Sequence, residues 1–332
     1  MGKLANKELK GLLNCVKKDS RVIIPPMVGY DSGVHQIDGK YLVVASDPCT
    51  GVPEEWFGYL LINYAASDLA LSGAKPQFCT INLLGPPSTK PEVFQRIMKQ
   101  TCQAADELGI AIVRGHTGTY DSVSGLLGVA TVYGSVELER LITAGGAKPG
   151  DLILCTKPLG LEAAINFSLT HKERAQKLFG PAQQENLSKQ VYMQSCVKEA
   201  LQLAKIRGVH AMHDVTEGGL IASLNELAEA SKVGFTVNPE KIPVCREVLV
   251  LQDYFKFADE QLLSLSSTGT ILAAVDPKSQ EDVKALLSKN GLSACFIGNF
   301  TKNGDKVLLK NGKETLFPQA VDDPYARILS SK

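Results

Sequence analysis

The sequence predicts an α+β protein of two domains, in which helices and strands alternate without the regular βαβ order of a doubly wound sheet. The chain has 332 residues, which is more than a typical single domain contains. Hydrophobic residues make up 44% of it, an ordinary fraction for a globular protein. Short apolar runs, typical of strands, are interleaved with longer stretches of helical spacing, which favours a mixed architecture.

The first half of the chain is predicted to begin with a helix and to continue with strands and helices in turn. Gly73 and Gly109 follow two long helical stretches and are typical C-terminal stops. Arg114–Gly118 is predicted to be a glycine-bracketed turn. The predicted elements are a helix at 7–18, strands at 22–24 and 41–46, a helix at 55–72, a strand at 78–84, a helix at 91–108, and strands at 110–113 and 126–136.

The richest glycine and proline punctuation, Thr143–Gly150, predicts the domain boundary. We therefore expect an N-terminal domain at residues 1–146 and a C-terminal domain at residues 147–332. The predicted elements of the second half are a strand at 151–155, a helix at 188–206, a strand at 209–213, a helix at 219–231, a strand at 270–275, a helix at 281–289 and a strand at 295–300.

Charge and cysteine usage exclude several classes of protein. The chain has 35 Lys and Arg against 35 Asp and Glu, spread along its length, so we expect no nucleic-acid partner. No apolar run reaches the roughly 20 residues of a membrane span, and the polar N-terminus is unlike a signal peptide. The eight cysteines lie mostly in apolar segments and form no Cys-x-x-Cys pair, which predicts reduced thiols in a cytoplasmic protein without structural zinc.

Three aspartates occupy positions that suit a metal ion. Asp31 lies in a turn between two glycines, Asp47 follows an apolar strand, and Asp68 lies in a helix among Ala and Leu. Carboxylates are the oxygen ligands that Mg²⁺ prefers. Each position also has a simple structural alternative: ordinary turns at Asp31 and Asp47, and an exposed polar position at Asp68.

Two glycine-containing segments are candidates for binding an anion through backbone amides. In His213–Leu220 a predicted strand leads into a helix whose first N–H groups are free, although Thr216 as the helix N-cap is the alternative. Gly115–Gly118 offers a similar cradle with a titratable His116, or simply a turn with a satisfied histidine. No dinucleotide fingerprint follows a strand, so a dinucleotide cofactor is not predicted. The acidic and glycine-containing turns are suited to Mg²⁺ and phosphate.

The order of these segments resembles the superfamily of aminoimidazole ribonucleotide (AIR) synthetase. Its other members are the hydrogenase maturation protein HypE, selenophosphate synthetase and thiamine monophosphate kinase. The resemblance extends from about residue 22 to residue 300 and is strongest in Asp68–Pro76 and Asp214–Ala228. These segments are most similar to the hydrogenase maturation branch.

The resemblance implies a two-domain PurM-like fold and an ATP- and Mg²⁺-dependent homodimer whose N-terminal domains pair through their sheets. Members of the superfamily phosphorylate an oxygen or selenium nucleophile, often that of an amide or carbamoyl group. The implied ligands of Mg²⁺ and phosphate are Asp31, Asp47, Asp68 and Asp214. The implied cofactor contacts are Gly33, Gly115, Thr117, Thr216 and Gly218, and the implied catalytic residues are Asp68, Asp214 and His116.

Two departures from the family pattern shape the functional hypothesis. Ser67 stands where the motif usually has Asn, which affects one hydrogen bond to nucleotide or metal. The chain ends without the terminal cysteine that carries the carbamoyl group in the HypE branch. We therefore predict phosphoryl transfer to a separate amide, carbamoyl or other small acceptor. The alternatives are a kinase like the thiamine monophosphate branch and a non-catalytic ATP-binding regulatory or maturation partner protein.

Overall fold

A computed structural model describes Leu4 and residues 6–330 of the chain. These residues form two compact units. The N-terminal unit comprises Lys17–Pro26 and Asp31–Leu141, and the C-terminal unit comprises Met27–Tyr30 and the described residues up to Val16 and from Ile142. The first helix, α1 (Asn6–Leu13), belongs to the C-terminal unit. The domain division between residues 146 and 147 remains a prediction from the sequence.

A six-stranded mixed sheet in the order β1-β2-β3-β6-β4-β5 forms the N-terminal unit. Only β4 and β5 among these neighbours run parallel. Helix α2 packs on β3 and β6, and α3 packs on α2. The elements are β1 (Val22–Ile24), β2 (Gly33–Ile37), β3 (Lys40–Thr50), α2 (Phe57–Leu71), β4 (Phe78–Gly85), α3 (Pro91–Leu108), β5 (Ala111–Thr119) and β6 (Leu127–Val136).

Helix α2 is buried on nearly every side because it lies between the sheet and α3. Gly58 permits the close approach of the two helices, since a Cβ atom there would lie 2.3 Å from the carbonyl oxygen of Ile97 in α3. The Gly58 N–H instead donates to the side chain of Gln100 at 2.9 Å. Helix α3 begins at Pro91 and ends before Gly109, which adopts a positive φ of 70° as the C-cap.

The C-terminal unit contains a seven-stranded sheet in the order β13-β12-β9-β11-β7-β10-β8. Its core includes the side chains of Phe235, Phe300 and Phe317 together with apolar residues of α8. The strands are β7 (Leu152–Cys155), β8 (Val209–Asp214), β9 (Gly234–Val237), β10 (Ile271–Val275), β11 (Cys295–Thr301), β12 (Lys306–Lys310) and β13 (Lys313–Leu316).

The remaining helices belong to this second unit, and α8 packs on β8. None of the helices in the described part of the chain is long and apolar enough to cross a membrane. The helices are α4 (Leu161–Thr170), α5 (Lys172–Phe179), α6 (Pro181–Ser188), α7 (Val197–Leu203), α8 (Gly219–Ser231), α9 (Arg246–Phe255), α10 (Asp259–Leu263), α11 (Gln280–Lys289) and α12 (Tyr325–Ser330). The α+β class predicted from the sequence is confirmed.

The position of Asp47 in the strand differs from the prediction. Strand β3 does not end before Asp47 but continues to Thr50, paired with β6 throughout. Pairing with β2 stops at Val44, so the later part of β3 is an edge on that side. Proline is tolerated at a strand edge because it has no N–H to donate, which explains how Pro48 lies within a strand.

The predicted turn at Gly115–Gly118 is wrong, because these residues lie in β5. Gly115, His116 and Thr117 pair in parallel with Ile81, Asn82 and Leu83 of β4. A Cβ atom on Gly115 would lie 3.0 Å from the carbonyl oxygen of Ile81. Glycine at this position therefore permits a close approach between strands and does not mark a turn.

The single helix predicted at 188–206 is also wrong, since the structure divides this stretch between α6, a short 3₁₀ turn and α7. The buried Lys157 Nζ donates to the carbonyl oxygens of Met193 and Ser195 at 2.9 and 2.7 Å. It also forms an ion pair of 2.5 Å with Glu199. The ammonium group thus satisfies carbonyls that would otherwise bond within a continuous helix.

Candidate functional site

The turn that carries Asp31 contacts the C-terminal end of α2, the helix that carries Asp68. Ser32, which follows Asp31, places its Oγ 2.5 Å from the Oγ of Ser72, the C-cap residue of α2. Asp68 precedes Ser72 by four positions, so both residues lie on the same side of the helix. The turn at Asp31 is therefore held against the end of the helix that carries Asp68.

Asp68 is not an exposed polar residue on the surface of its helix. It is only 9% exposed, and the neighbouring Ser67 is 2% exposed. Neither residue is without an interaction partner. A carboxylate is buried at this depth only when hydrogen bonds, an ion pair or a cation compensate the lost hydration, so the position is specialised. The simple structural alternative for Asp68 is excluded.

Asp47 lies on the face of the sheet that α2 covers. Along β3 the side chains of Val43, Ala45 and Cys49 alternate onto this face and are 0%, 3% and 1% exposed, and Asp47 falls in the same alternation. Burial and, secondarily, the negative charge of Asp47 raise the pKa of the Cys49 thiol. Asp47 therefore shares this side of the sheet with the helix of Asp68.

The three carboxylates do not by themselves form a closed set of metal ligands. Among the described residues of the N-terminal unit alone, no three His, Cys, Asp or Glu side chains bring their ligand atoms within 4.8 Å of one another. A cation with few protein ligands suits Mg²⁺, which usually keeps several waters and binds one or two carboxylates together with phosphate oxygens. Asp31, Asp47 and Asp68 could each offer a carboxylate oxygen to such an ion.

Gly115, His116 and Thr117 are exposed on β5 at the edge of the sheet. The His116 Nε2 lies 2.6 Å from the hydroxyl oxygen of Tyr120. Strands β6 and β4 lie between β3 and β5, so about 14 Å of sheet separate these residues from Asp47. The structure therefore does not bring His116 close to Asp47 within its own unit.

In the C-terminal unit, Asp214 ends β8 and is 3% exposed. The ring of His213, which is 1% exposed, has its Nδ1 2.9 Å from the carbonyl oxygen of Asp214. Its Nε2 lies 3.1 Å from a carboxylate oxygen of Glu226 in α8. Strand β8 and helix α8 are thereby joined next to the predicted anion-binding turn.

Two consecutive glycines make the sharp turn from β8 to α8. Gly218 and Gly219 have φ values of 84° and 58°, which side chains other than glycine rarely tolerate. A Cβ atom on Gly219 would also lie 2.5 Å from the carbonyl carbon of Ser264. The sequence alternative of Thr216 as the N-cap is wrong, since Gly218 is the N-cap residue and Thr216 accepts the Gly219 N–H through its own carbonyl at 2.8 Å.

An acidic cluster that no sequence motif predicts lies beside this turn. The carboxylate of Glu162 accepts hydrogen bonds from the Ser266 hydroxyl at 2.8 Å and the Thr268 N–H at 2.9 Å, and burial raises its pKa. Burial, with a smaller contribution from the charge of Glu162, raises the pKa of Asp323 to about 6. No local pattern signals the cluster, because its members are far apart along the chain.

Each of the two units matches a domain of a known protein family. Residues 29–136 match the N-terminal domain of AIR synthase related proteins, and residues 148–310 match the C-terminal domain of the same proteins.

Curated relatives span almost the whole chain. A hydrogenase expression/formation protein of Methanocaldococcus jannaschii is 26% identical over 311 residues, which cover 90% of this chain and 88% of the relative. A selenide, water dikinase of Carboxydothermus hydrogenoformans is 27% identical over 322 residues, which cover 88% of this chain and 90% of the relative.

Solved structures share the fold at low identity. The hydrogenase maturation protein HypE in complex with ATP superposes with a TM-score of 0.70 and 19% identity, covering 86% of each chain. The thiamine monophosphate kinase of Aquifex aeolicus does so with a TM-score of 0.70 and 20% identity, covering 94% of this chain and 99% of the kinase. A HypE–HypF complex has a TM-score of 0.70 and 19% identity, covering 88% and 93%.

Proposed function

We propose that this chain, which belongs to the AIR synthase related family, transfers the γ-phosphoryl group of ATP to an amide, carbamoyl or similar small acceptor with the help of Mg²⁺. The observation that carries the proposal is the Ser32–Ser72 hydrogen bond, which holds the Asp31 turn against the helix of Asp68. Relatives of this chain include ATP-using enzymes, since one solved structure is a HypE–ATP complex and another relative is a dikinase.

The proposed chemistry requires little covalent participation by the protein. In phosphoryl transfer the enzyme positions the phosphates and neutralises their charge, and Mg²⁺ bridges the phosphate oxygens. We assign Asp31, Asp47, Asp68 and Asp214 to Mg²⁺ and the phosphates, with Asp68 and Asp214 acting closest to the reacting group. Backbone and hydroxyl contacts to the nucleotide are assigned to Gly33, Gly115, Thr117, Thr216 and Gly218. The predicted catalytic role of His116 is not part of this proposal, because about 14 Å of sheet separate it from Asp47.

We assign the phosphoryl acceptor to a separate small molecule. Residues 326–329 read Ala-Arg-Ile-Leu and contain no cysteine, so this segment supplies no thiol for a carbamoyl group. The names of the relatives cover different acceptors, selenide in one and thiamine monophosphate in another. The acceptor of this chain is therefore to be found by experiment among amide, carbamoyl and related small molecules.

We also propose that the protein forms a homodimer through the N-terminal sheet. On β4 the side chains alternate between a buried face under the helices and an open face, where Phe78 is 43% exposed. Phe78 stacks on Tyr133 of β6 at 5.5 Å between ring centroids. A partly exposed aromatic surface on a sheet, next to the unpaired edge of β5, is typical of a protein interface. A maturation protein, such as HypF is for HypE, is the second candidate partner.

A cytoplasmic location is proposed from the chemistry of the cysteines. All eight are free thiols in the structure. Burial raises the pKa of several of them, including that of Cys79 to about 11, so these thiols stay protonated and inert at neutral pH. Reduced, buried thiols are typical of proteins from a reducing compartment.

The test is release of ADP by the purified protein with Mg²⁺ and ATP, with and without a panel of carbamoyl, amide, aminoimidazole and thiamine monophosphate acceptors. ADP release that one acceptor stimulates supports phosphoryl transfer and identifies the acceptor class. Stimulation by thiamine monophosphate alone favours the small-molecule kinase. Tight binding of Mg·ATP without turnover on any acceptor favours a regulatory binding protein, and the absence of ATP binding contradicts both.

A further inference from the structure

The last part of the described chain, residues 318–330, is a strap that lies on the C-terminal unit. Its start is held by Asn225, whose Nδ2 donates to the carbonyl oxygen of Pro318 at 2.9 Å. In its middle, the Ser264 hydroxyl donates to the carbonyl oxygen of Asp322 at 2.9 Å. Near its end, His171 Nε2 donates to the carbonyl oxygen of Leu329 at 2.9 Å. These contacts fix the strap along its whole length.

Apolar and polar burial both anchor the strap. Ile328 of α12 is 0% exposed. The hydroxyl of Tyr325 accepts a hydrogen bond of 2.6 Å from Asn166 Nδ2 of α4. A buried tyrosine with a satisfied hydroxyl contributes apolar area and specificity at the same time. The strap is therefore an integral part of the packed unit.

The anchors place the carboxylate of Asp323 at the start of α8. One carboxylate oxygen accepts the N–H of Tyr325 at 2.8 Å, which orients the group. The other accepts the N–H of Gly218 at 3.4 Å. No side chain of the α8 N-terminal segment itself caps this helix. The cap is thus supplied by a residue 105 positions away in the sequence.

We propose that Asp323 is a resident anion at the Gly218 amide, which a phosphate group must displace when it binds. This inference rests on the proposed function, in which the Gly218 N–H contacts phosphate. A carboxylate and a phosphate oxygen compete for a single N–H donor, and their like charges repel at short range. At 3.4 Å, the bond from the Gly218 N–H to Asp323 is at the long end of hydrogen-bond distances, so we expect it to break when phosphate binds.

The environment of Asp323 favours this displacement. Glu162 of α4 adds negative charge near Asp323, and Tyr325 of α12 offers its backbone N–H to the other oxygen. The carboxylate is partly buried, which disfavours its charged form, and the backbone N–H groups of Tyr325, Gly218 and Ser266 offset only part of that cost. A phosphate accompanied by Mg²⁺ brings its own counter-charge to the turn, which the carboxylate lacks. The strap therefore lowers the affinity of the turn for phosphate without blocking it.

The experiment compares Asp323→Asn with Asp322→Asn in the full chain. Asp322 is the exposed neighbour, so the control variant removes the same charge one position away. The affinity for Mg·AMPPNP is measured by titration calorimetry, and thermal unfolding verifies that both variants fold. We expect Asp323→Asn to bind about tenfold more tightly than the wild type, and Asp322→Asn to remain within about twofold. Equal or weaker binding by Asp323→Asn overturns the proposal.

A second variant and a second ligand keep the test decisive. Tyr325→Phe removes the hydroxyl that bonds both Asn166 and the buried Glu162, loosens the strap while leaving the formal charge at position 325 unchanged, and should also tighten binding. Unchanged or weaker binding by this variant contradicts the displacement. If the wild type does not bind Mg·AMPPNP, the proposed function fails. Binding of inorganic pyrophosphate then tests the role of Asp323 separately. Tighter binding by Asp323→Asn than by the wild type supports that role, and equal or absent binding overturns it.

Discussion

The Oγ of Ser32 lies 2.5 Å from the Oγ of Ser72, although the two residues are 40 positions apart. Both hydroxyls are buried, with 9% and 7% of each residue exposed. A buried polar pair of this kind fixes one geometry, because each hydroxyl would be unsatisfied without the other. The bond determines how the Asp31 turn lies against α2, and the carboxylates assigned to Mg²⁺ depend on that placement.

Removing the charge of Asp68 should abolish turnover and leave the fold intact. In Asp68→Asn the side chain keeps its size and one oxygen but loses the charge that Mg²⁺ needs. We expect acceptor-stimulated ADP release to fall by at least about 100-fold, since phosphoryl transfer depends on the positioned metal. Steady-state kinetics and circular dichroism measure the two effects. The control is Asp106→Asn, at an exposed position of α3, which should keep wild-type turnover. If Asp68→Asn is less stable but its folded fraction keeps wild-type turnover, the role of Asp68 is structural.

Breaking the serine pair should weaken nucleotide binding more than it weakens the fold. Ser72→Ala leaves the buried Ser32 hydroxyl without this partner, which should lower the free energy of unfolding by about 1–2 kcal/mol. The freed turn should raise KM for Mg·ATP with a smaller change in kcat. Chemical denaturation and initial rates test both effects. Ser46→Ala is the control, because its hydroxyl pair with Thr131 is exposed and should cost little. Unchanged KM in Ser72→Ala would show that the pair does not position the site.

The double-glycine turn predicts a strong effect at one position. Gly219→Ala combines an unfavourable φ of 58° with a Cβ atom 2.5 Å from the carbonyl carbon of Ser264. We expect a loss of stability of at least about 3 kcal/mol, from strain and displaced backbone together. Gly291→Ala separates the two contributions, since Gly291 has a φ of 71° and no atom within 4 Å of its Cβ position. The control should lose only about 1 kcal/mol in urea unfolding. Equal losses in the two variants would mean that the contact with Ser264 relaxes.

Parts of this architecture follow from local sequence, and others depend on contacts that no local pattern contains. Helix α3 lies at the predicted positions because Pro91 is a strong start signal and Gly109 a strong stop signal. The sequence predicts a turn at Gly115, because sequence alone does not distinguish a glycine that lets two strands approach closely from one that adopts a positive φ. The acidic residues Asp31 and Asp68 were identified as candidates, but the Ser32–Ser72 bond that relates them was not. The role of Asp323 depends on tertiary packing alone, since its partner Gly218 is distant in the chain.

The titration of Asp323 predicts a pH-dependent difference in stability. Burial raises the pKa of its carboxyl group in the folded state from 3.8 to about 6. The folded state therefore holds this proton more tightly than the unfolded state, so the favourable contribution is complete below about pH 4 and is lost as pH rises through about 6. Allowing for partial exposure, the ionised group costs on the order of 2 kcal/mol at neutral pH.

Asp323→Asn removes this titration, and the hydrogen bonds it loses add an offset that does not vary with pH. The free energy of unfolding of the variant minus that of the wild type should thus increase by about 2 kcal/mol between pH 4 and pH 7. Urea unfolding at several pH values measures the difference, and Asp322→Asn should show no such trend. A difference that is flat with pH in Asp323→Asn would mean that the carboxylate is better compensated than its burial implies. The Gly218 contact would then be stronger than its 3.4 Å length indicates.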